Sequence, residues 1–243
     1  MIQNTMKVSV ILPTYNERGN IIELIDVIMG ELSPLNMERE IIVVDDNSPD
    51  NTGKVVQDRF SKDESVKVFI RTKEKGLATA IQYGIEKSTG DIIVVADSDF
   101  NHDPKLLPQM VKFLEYYDII VGSRFTLGGG MENTFRYRGS FVYNIFIRII
   151  LRTPIQDNLS GFFSIGRKNL FSLNFDKIFF GYGDYFFRLL FYAQRRKFRI
   201  LEVPVFYQLR KYGKSKTNLI SILVRYSIAL LKFRLQKGGN SFK

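Results

Sequence analysis

The residues best placed to do chemistry are Asp97, Ser98 and Asp99, which directly follow the apolar run at 92–96. A run of that length bounded by polar residues is the pattern of a buried strand in a parallel sheet. In open α/β sheets, ligands bind beyond the carboxyl ends of the strands. Two carboxylates at such an end cannot pair with each other. They need a cation, and a hard divalent ion such as Mg2+ or Mn2+ takes oxygen ligands of this kind. An ion that also held a diphosphate would offset the charge that builds on a departing nucleotide. The sequence therefore reads as one that brings a sugar nucleotide to a metal and an acceptor to the sugar. A solvated Asp-x-Asp turn is the bland alternative, and the remaining motifs weigh against it.

Composition narrows the chemistry. The chain has 243 residues, no Cys and a single His, His102. The absence of Cys excludes disulfides, thiol catalysis and thiolate metal sites. One His leaves little room for imidazole acid–base chemistry. The net charge of +10 is uneven: residues 1–120 hold 13 Lys/Arg and 20 Asp/Glu, whereas 121–243 hold 22 and 5. The acidic half carries the candidate metal site, and the basic half should face phosphate, anionic lipid or nucleic acid. No signal peptide is expected from the short polar start, and no transmembrane helix from any apolar run.

Strands are expected at 7–12, 40–44, 66–71, 92–96 and 118–121, each followed by a polar motif, with helices of about ten to fifteen residues between them. This alternation implies βαβ units and a mostly parallel sheet flanked by helices, with the motifs gathered on one edge. Asn20 and Glu23 have capping-box spacing ahead of a helix. Pro104 opens a helix running to 116, which His102 is placed to cap. Further strands are expected at 160–166 and 200–208, with a helix at 184–196 between them. Two long helices, at 135–152 and 217–236, are basic and rich in Ile, Leu and Phe. The first carries a polar stripe of Ser140, Asn144, Arg148 and Arg152. Such helices suit a membrane interface.

The motifs PTYNE (13–17), VVDDNSPDNTG (43–53), RTKEKGLATA (71–80), ADSDFNHDP (96–104), GSRF (122–125) with GGG (128–130), DNLSGFF (157–163) and RKYGKSK (210–216) occur in one order. In that order and spacing the sequence resembles the dolichyl-phosphate mannose synthases, inverting family-2 glycosyltransferases of the GT-A fold. The likeness runs from Lys7 to about Leu235. It implies one glycosyltransferase domain over 1–243, with a nucleotide-sugar half at about 7–125 and an acceptor- and membrane-facing half at about 126–243. It implies GDP-mannose as donor, a polyprenyl (dolichyl) phosphate as acceptor, and Mg2+ or Mn2+ as cofactor. With no transmembrane helix expected, it also implies peripheral attachment at the cytoplasmic face of a membrane, alone or through a membrane-anchoring partner subunit.

Carried over by position, Pro13, Tyr15, Glu17, Val44 and Asp46 resemble the nucleotide-contacting residues, with Asp45 holding its loop. Asp97, Ser98 and Asp99 resemble the diphosphate and metal segment. Asp99 is expected as the more direct metal ligand, and Asn101, which stands where relatives often have Gln, as a further ligand through its amide oxygen. Arg124, Arg136, Ser140, Arg210 and Lys216 resemble the phosphate-binding set, and Arg138 could take the role of Arg136. The guanidinium fork suits phosphate oxygens. Asp157 resembles a residue near the acceptor sugar. Arg188 falls near an acidic position of the relatives, for which Asp184 is the candidate substitute.

A phosphate monoester is already an oxyanion near neutral pH, so such an acceptor needs no general base. The expected reaction is a single displacement at the anomeric carbon, with Asp97, Asp99 and Arg124 as the catalytic set. Two alternatives remain open to the sequence. One is a lipid-phosphate glucosyl- or N-acetylhexosaminyltransferase using a UDP-sugar. The other is a basic membrane- or nucleic-acid-binding protein, although the aromatic residues do not form a stacking platform for bases.

Overall fold

Strand β1 (Lys7–Thr14) is buried along nearly its whole length. Its side chains alternate across the sheet, so Val8, Val10 and Leu12 enter one core layer and Ile11 the other. In this computed structural model, which describes residues 6–208 and 219–238, the chain continues through α1 (Ile21–Leu32), β2 (Glu38–Asp45), α2 (Thr52–Arg59), β3 (Val66–Ile70), α3 (Leu77–Lys87), β4 (Ile92–Val95), α4 (Leu107–Lys112) and β5 (Ile119–Ser123). Beyond them come β6 (Gly130–Met131), α5 (Thr134–Leu151), β7 (Phe163–Gly166), α6 (Arg167–Phe171), α7 (Tyr185–Arg195), β8 (Ile200–Pro204), β9 (Phe206–Tyr207) and α8 (Leu219–Gly238). Arg210 and Lys216, expected in the phosphate-binding set, lie outside the described residues.

The main sheet has the order β3-β2-β1-β4-β7-β5-β8. It is parallel except for β7, which inserts antiparallel between β4 and β5. The small strands β6 and β9 pair beside it. Helices α1, α2 and α4 cover one face, and α3 and α7 the other. A third apolar cluster joins α5, α7 and α8 through Ile147, Leu151, Phe187, Phe191, Leu230 and Phe233.

Several local expectations change. The Asn20 capping box does not form. Asn20 has helical backbone angles, and its amide donates to Glu17 at 2.6 Å. The helix expected from Pro104 breaks into a 3-10 turn at Pro104–Leu106, α4, and a second 3-10 turn at Phe113–Glu115. Pro108 has no N–H to return to residue 104, so the first turn cannot continue as an α-helix. Asp103, not His102, caps this segment by accepting from the Lys105 N–H. The strand expected from 160 begins only at Phe163, because Gly161 takes φ +77°. On α5 the expected polar stripe is interrupted. Asn144 is buried, while Phe135, Val142, Ile145 and Ile149 are exposed. Among the described residues, no helix is long and apolar enough to cross a membrane.

Candidate active site

The loops after β1, β2, β4 and β5 converge on the carboxyl edge of the sheet, and hydrogen bonds hold them together. Ser98 ties β4 to β1: its hydroxyl donates to the Pro13 carbonyl at 2.9 Å and lies 3.0 Å from Thr14 Oγ1. Ser98 is buried. Its side chain fixes the loop, and the two flanking carboxylates take their directions from it.

Those carboxylates differ. Asp97 has a side chain 42% exposed, whereas Asp99 is 3% exposed. Asp99 accepts the Asn101 N–H at 3.1 Å and the Asn101 amide at 2.8 Å. The sequence placed Asp99 first as a direct ligand, but Asp97 is the carboxylate open to the cleft. Asn101, expected as a third ligand, directs its amide N–H groups at Asp99 and braces it. Between them Phe100 sits at φ +63°. A bulky side chain in the left-handed region costs about 1–3 kcal/mol, a strain typical of functional loops.

At the ends of β2 and β3, Asp45 takes the Ser48 N–H and hydroxyl and so holds its own loop. Asp46, expected among the nucleotide-contacting residues, is buried and engaged within the chain. It receives the Arg71 guanidinium at 2.7 Å and the Gly76 N–H at 2.7 Å. Arg71 also reaches Thr79 Oγ1 and the Gly76 carbonyl, both at 3.1 Å. Arg71 was not singled out in the sequence. The signal available was its position directly after β3, matching that of Arg124 directly after β5. Val44 is fully buried, and its side chain packs in the core layer with Ile11 and Ile42. Glu17 is buried, with its N–H on Thr52 and its carboxylate receiving Asn20. Tyr15 is exposed, with Lys75 Nζ 5.5 Å from its ring centre. This contact joins the loop after β1 to the loop after β3.

Arg124, at the end of β5, is buried and forms a two-pronged pair with Asp157, Nη2 to Oδ1 at 2.7 Å and Nε to Oδ2 at 2.8 Å. Its guanidinium lies 4.8 Å from the Tyr207 ring centre. Burial alone would lower the guanidinium pKa, but the charge and hydrogen bonds of Asp157, with smaller pulls from Tyr207 and Asp97, together raise it. Asp97 Oδ2 lies 3.6 Å from His102 Nε2, which lies 2.8 Å from the hydroxyl of the Tyr207 that carries Arg124 on its ring, so one set of contacts links Asp97 to Arg124. Asp157 is fully buried and closed on Arg124, so it positions the guanidinium.

His102 is buried, and both ring nitrogens are engaged. Nδ1 accepts the Asp97 N–H at 2.8 Å, and Nε2 lies 2.8 Å from the Tyr207 hydroxyl. Burial pushes its pKa down to about 4, against the pull of Asp99, so it is neutral near pH 7.

Arg136 and Arg138 are exposed on the first turns of α5, and Ser140 is half-buried there. Tyr137 and Phe141 pack on Phe125 at 5.3 and 5.4 Å. This brings the start of α5 beside Arg124 but leaves the Arg136 and Arg138 side chains outside the buried network. Asp184 is closed on Arg188 and on the Tyr182 N–H, which corrects its expected role as a substitute acidic group.

The family profile described as "Glycosyl transferase family 2" matches residues 9–173. The chain belongs to glycosyl transferase family 2. Within this family it is 34% identical to the undecaprenyl-phosphate mannosyltransferase of Micrococcus luteus over 88% of each chain. It is 38% identical to the dolichol-phosphate mannosyltransferase of Pyrococcus furiosus over 94% of its own length and 64% of that protein's. A third relative, the dolichol-phosphate mannosyltransferase of Saccharomyces cerevisiae, is 31% identical over 70% of this chain and 64% of the yeast protein. This family-2 chain has the GT-A fold. Glucosyl-3-phosphoglycerate synthase of Mycobacterium tuberculosis, solved with phosphoglyceric acid, superimposes with a TM-score of 0.72 at 21% identity, covering 94% of this chain and 80% of the other. The same enzyme with Mn2+ and UDP-glucose gives 0.70 at 22% identity, covering 94% and 79%.

Proposed function

We propose that this family-2 glycosyltransferase moves mannose from GDP-mannose to a polyprenyl or dolichyl phosphate, inverting the sugar to a β-linked lipid phosphate. The observation that carries the reading is the half-exposed Asp97 carboxylate linked through His102 and Tyr207 to the buried Arg124 guanidinium, at the sheet edge where the loops after β4 and β5 meet. The names of the relatives supply the substrate class.

The residues fit a hard divalent cation. Asp97 and Asp99 stand two residues apart and offer oxygen donors only. That fits Mg2+ or Mn2+, which binds through one or two carboxylates and takes its remaining ligands from water and substrate phosphates. Such an ion, when bound, would neutralise charge on the departing diphosphate.

The chain's own residues do the rest. Asp157 holds Arg124 so that its positive charge is fixed before substrate arrives, which is preorganised electrostatic stabilisation. Tyr15 and Lys75 stand at the mouth where a nucleotide would enter. An oxygen of the lipid phosphate attacks the anomeric carbon, the bond from that carbon to the diphosphate oxygen breaks, and its electron pair leaves with GDP. No general base is required, in keeping with the buried, doubly engaged His102. Arg136, Arg138 and Ser140 on α5 are placed to meet the acceptor phosphate.

The lipid substrate gives a role to the exposed apolar residues of two helices. Val142, Ile145 and Ile149 on α5 and Val224, Ile228, Leu231 and Leu235 on α8 are exposed. Arg136, Arg138 and Arg152 flank the first set, and Arg225 and Lys232 the second. An apolar face edged by cations suits the headgroup boundary of an anionic leaflet, which supports peripheral attachment.

The test is incubation of the purified chain with labelled GDP-mannose, polyprenyl phosphate and Mg2+ or Mn2+. A mannolipid is expected from the wild type and a loss of product in Asp97→Ala and Asp99→Ala. Undiminished transfer in both variants would overturn the metal site, and transfer only from a UDP-sugar would overturn the donor.

A further inference from the structure

We propose that His102 and Tyr207 form a positioning pair that sets the loop of Asp97 and Asp99 against Arg124, coupling the metal and diphosphate subsite to the acceptor-phosphate subsite. This rests on the functional reading above.

The hydrogen-bond chain runs in one direction. The Asp97 N–H occupies His102 Nδ1 as an acceptor, which leaves the imidazole proton on Nε2 in the neutral ring. That N–H donates to the Tyr207 hydroxyl at 2.8 Å, and the hydroxyl donates to the Ser160 carbonyl at 3.0 Å. The imidazole plane is fixed as well, because it stacks on Phe162 with centroids 4.7 Å apart and planes 7° from parallel. Each donor in the chain has its acceptor, and a fully satisfied buried network holds one geometry.

Tyr207 has a second contact. The face of its ring carries the Arg124 guanidinium at 4.8 Å. One side chain thus touches both the imidazole that holds the Asp97 backbone and the guanidinium expected to face phosphate. Tyr207 stands on β9, and β9 pairs with β6 immediately ahead of α5. A shift of α5 or β6 on acceptor binding is therefore relayed to Asp97 through two rigid rings. Space-filling alone would not require this set of groups: an apolar ring in place of His102 would pack on Phe162 without holding the Asp97 N–H.

The experiment titrates the purified chain with Mn2+ and GDP, and separately with Mn2+ and UDP, by calorimetry, with thermal melts of every variant. Tyr207→Phe keeps the ring beneath Arg124 and removes only the hydroxyl. His102→Asn can place its amide oxygen near the position of Nδ1 but cannot reach Tyr207, whereas His102→Gln reaches the other way. Expected is a loss of about tenfold or more in Mn2+-dependent nucleotide affinity for folded Tyr207→Phe, the scale seen when groups supporting metal ligands are removed. His102→Asn should retain more affinity than His102→Gln. In an Arg124→Lys background the Tyr207→Phe loss should shrink, since coupled residues are not additive.

A folded Tyr207→Phe protein that binds Mn2+ and nucleotide like the wild type would overturn the proposal, as would equal losses in the two His102 variants. Should the His102 variants fail to fold, Tyr207→Phe decides alone. A wild type that binds neither nucleotide with Mn2+ would overturn the functional reading and this inference together, a result distinct from either of the others.

Discussion

Arg124 and Asp157 form a buried ion pair in which both carboxylate oxygens receive guanidinium N–H groups, at 2.7 and 2.8 Å. Asp157 also accepts the Arg124 backbone N–H at 3.0 Å, so it fixes the loop as well as the side chain. The charge meant for substrate is thereby anchored from behind.

Asp157→Asn is expected to lose transfer activity and stability together. It leaves a buried guanidinium without its counter-charge, which costs about 3–5 kcal/mol. The cost is read from denaturant melts. A variant with full stability would show that Arg124 finds another partner and that the pair is not what holds it.

A second anchored carboxylate lies at the opposite edge of the sheet and governs acid stability. Glu40 is buried and accepts from Lys67, Ser9 and Thr89. Burial alone would raise its pKa, but these bonds outweigh it and hold it down to about 2, from the usual 4.5. The folded pKa lies below the unfolded one. The stabilisation is therefore complete above about pH 4.5 and is lost as pH falls from there towards 2. At 1.36 kcal/mol per pH unit the contribution is about 3 kcal/mol. Glu40→Gln should flatten that part of the stability–pH curve while lowering stability at pH 7. An unchanged slope between pH 5 and 2 would assign acid sensitivity to other carboxylates.

Arg71 is expected to matter more to nucleotide binding than its exposure suggests. It gathers Asp46, Thr79 and the Gly76 carbonyl, so it shapes the loop behind Tyr15 and Lys75. Arg71→Lys can satisfy only part of that set and leaves a buried acceptor unpaired, at about 1–3 kcal/mol. Calorimetry should show nucleotide affinity reduced by about tenfold. Retention of wild-type affinity would place the nucleotide away from this loop.

The sheet was legible because its strands are continuous apolar runs, and each run was followed by the polar motif that forms the site. What could not be read was which polar groups would turn on one another. Asp46, Ser98 and Asp157 have the residue types of ligand contacts, yet Arg71, Pro13 with Thr14, and Arg124 take them. These partners lie 25, 85 and 33 residues away in sequence for the Arg71, Pro13 and Arg124 bonds. Periodicity within one element carries no information about such pairs. His102 shows the same limit. Its neighbour Pro104 suggested a local cap, while its partner Tyr207 is 105 residues distant. The α5 face failed for another reason: counting polar spacing predicts which residues share a stripe, not which stripe a neighbouring helix will cover. Here α8 and the 153–158 turn covered the Asn144 side, and Asn144 answers by accepting the Asn158 N–H at 2.7 Å.

That inversion supports a final prediction about the membrane. Ile149 is 69% exposed and Val142 65%, so changing them disturbs little packing, and stability should stay within about 0.5 kcal/mol. If the α5 face enters a lipid interface, each such residue gives about 1.5–3 kcal/mol on burial. Replacement by Glu removes that gain and adds repulsion from anionic headgroups. Val142→Glu with Ile149→Glu should therefore weaken co-sedimentation with anionic vesicles by well over tenfold. Nucleotide binding in solution should be unchanged, because neither residue lies among the loops at the sheet edge. Turnover should fall with acceptor embedded in vesicles and recover with a short-chain, water-soluble polyprenyl phosphate. Vesicle binding equal to the wild type would remove α5 from the interface, and a failure of turnover on the soluble acceptor would mean that the helix shapes the acceptor subsite itself.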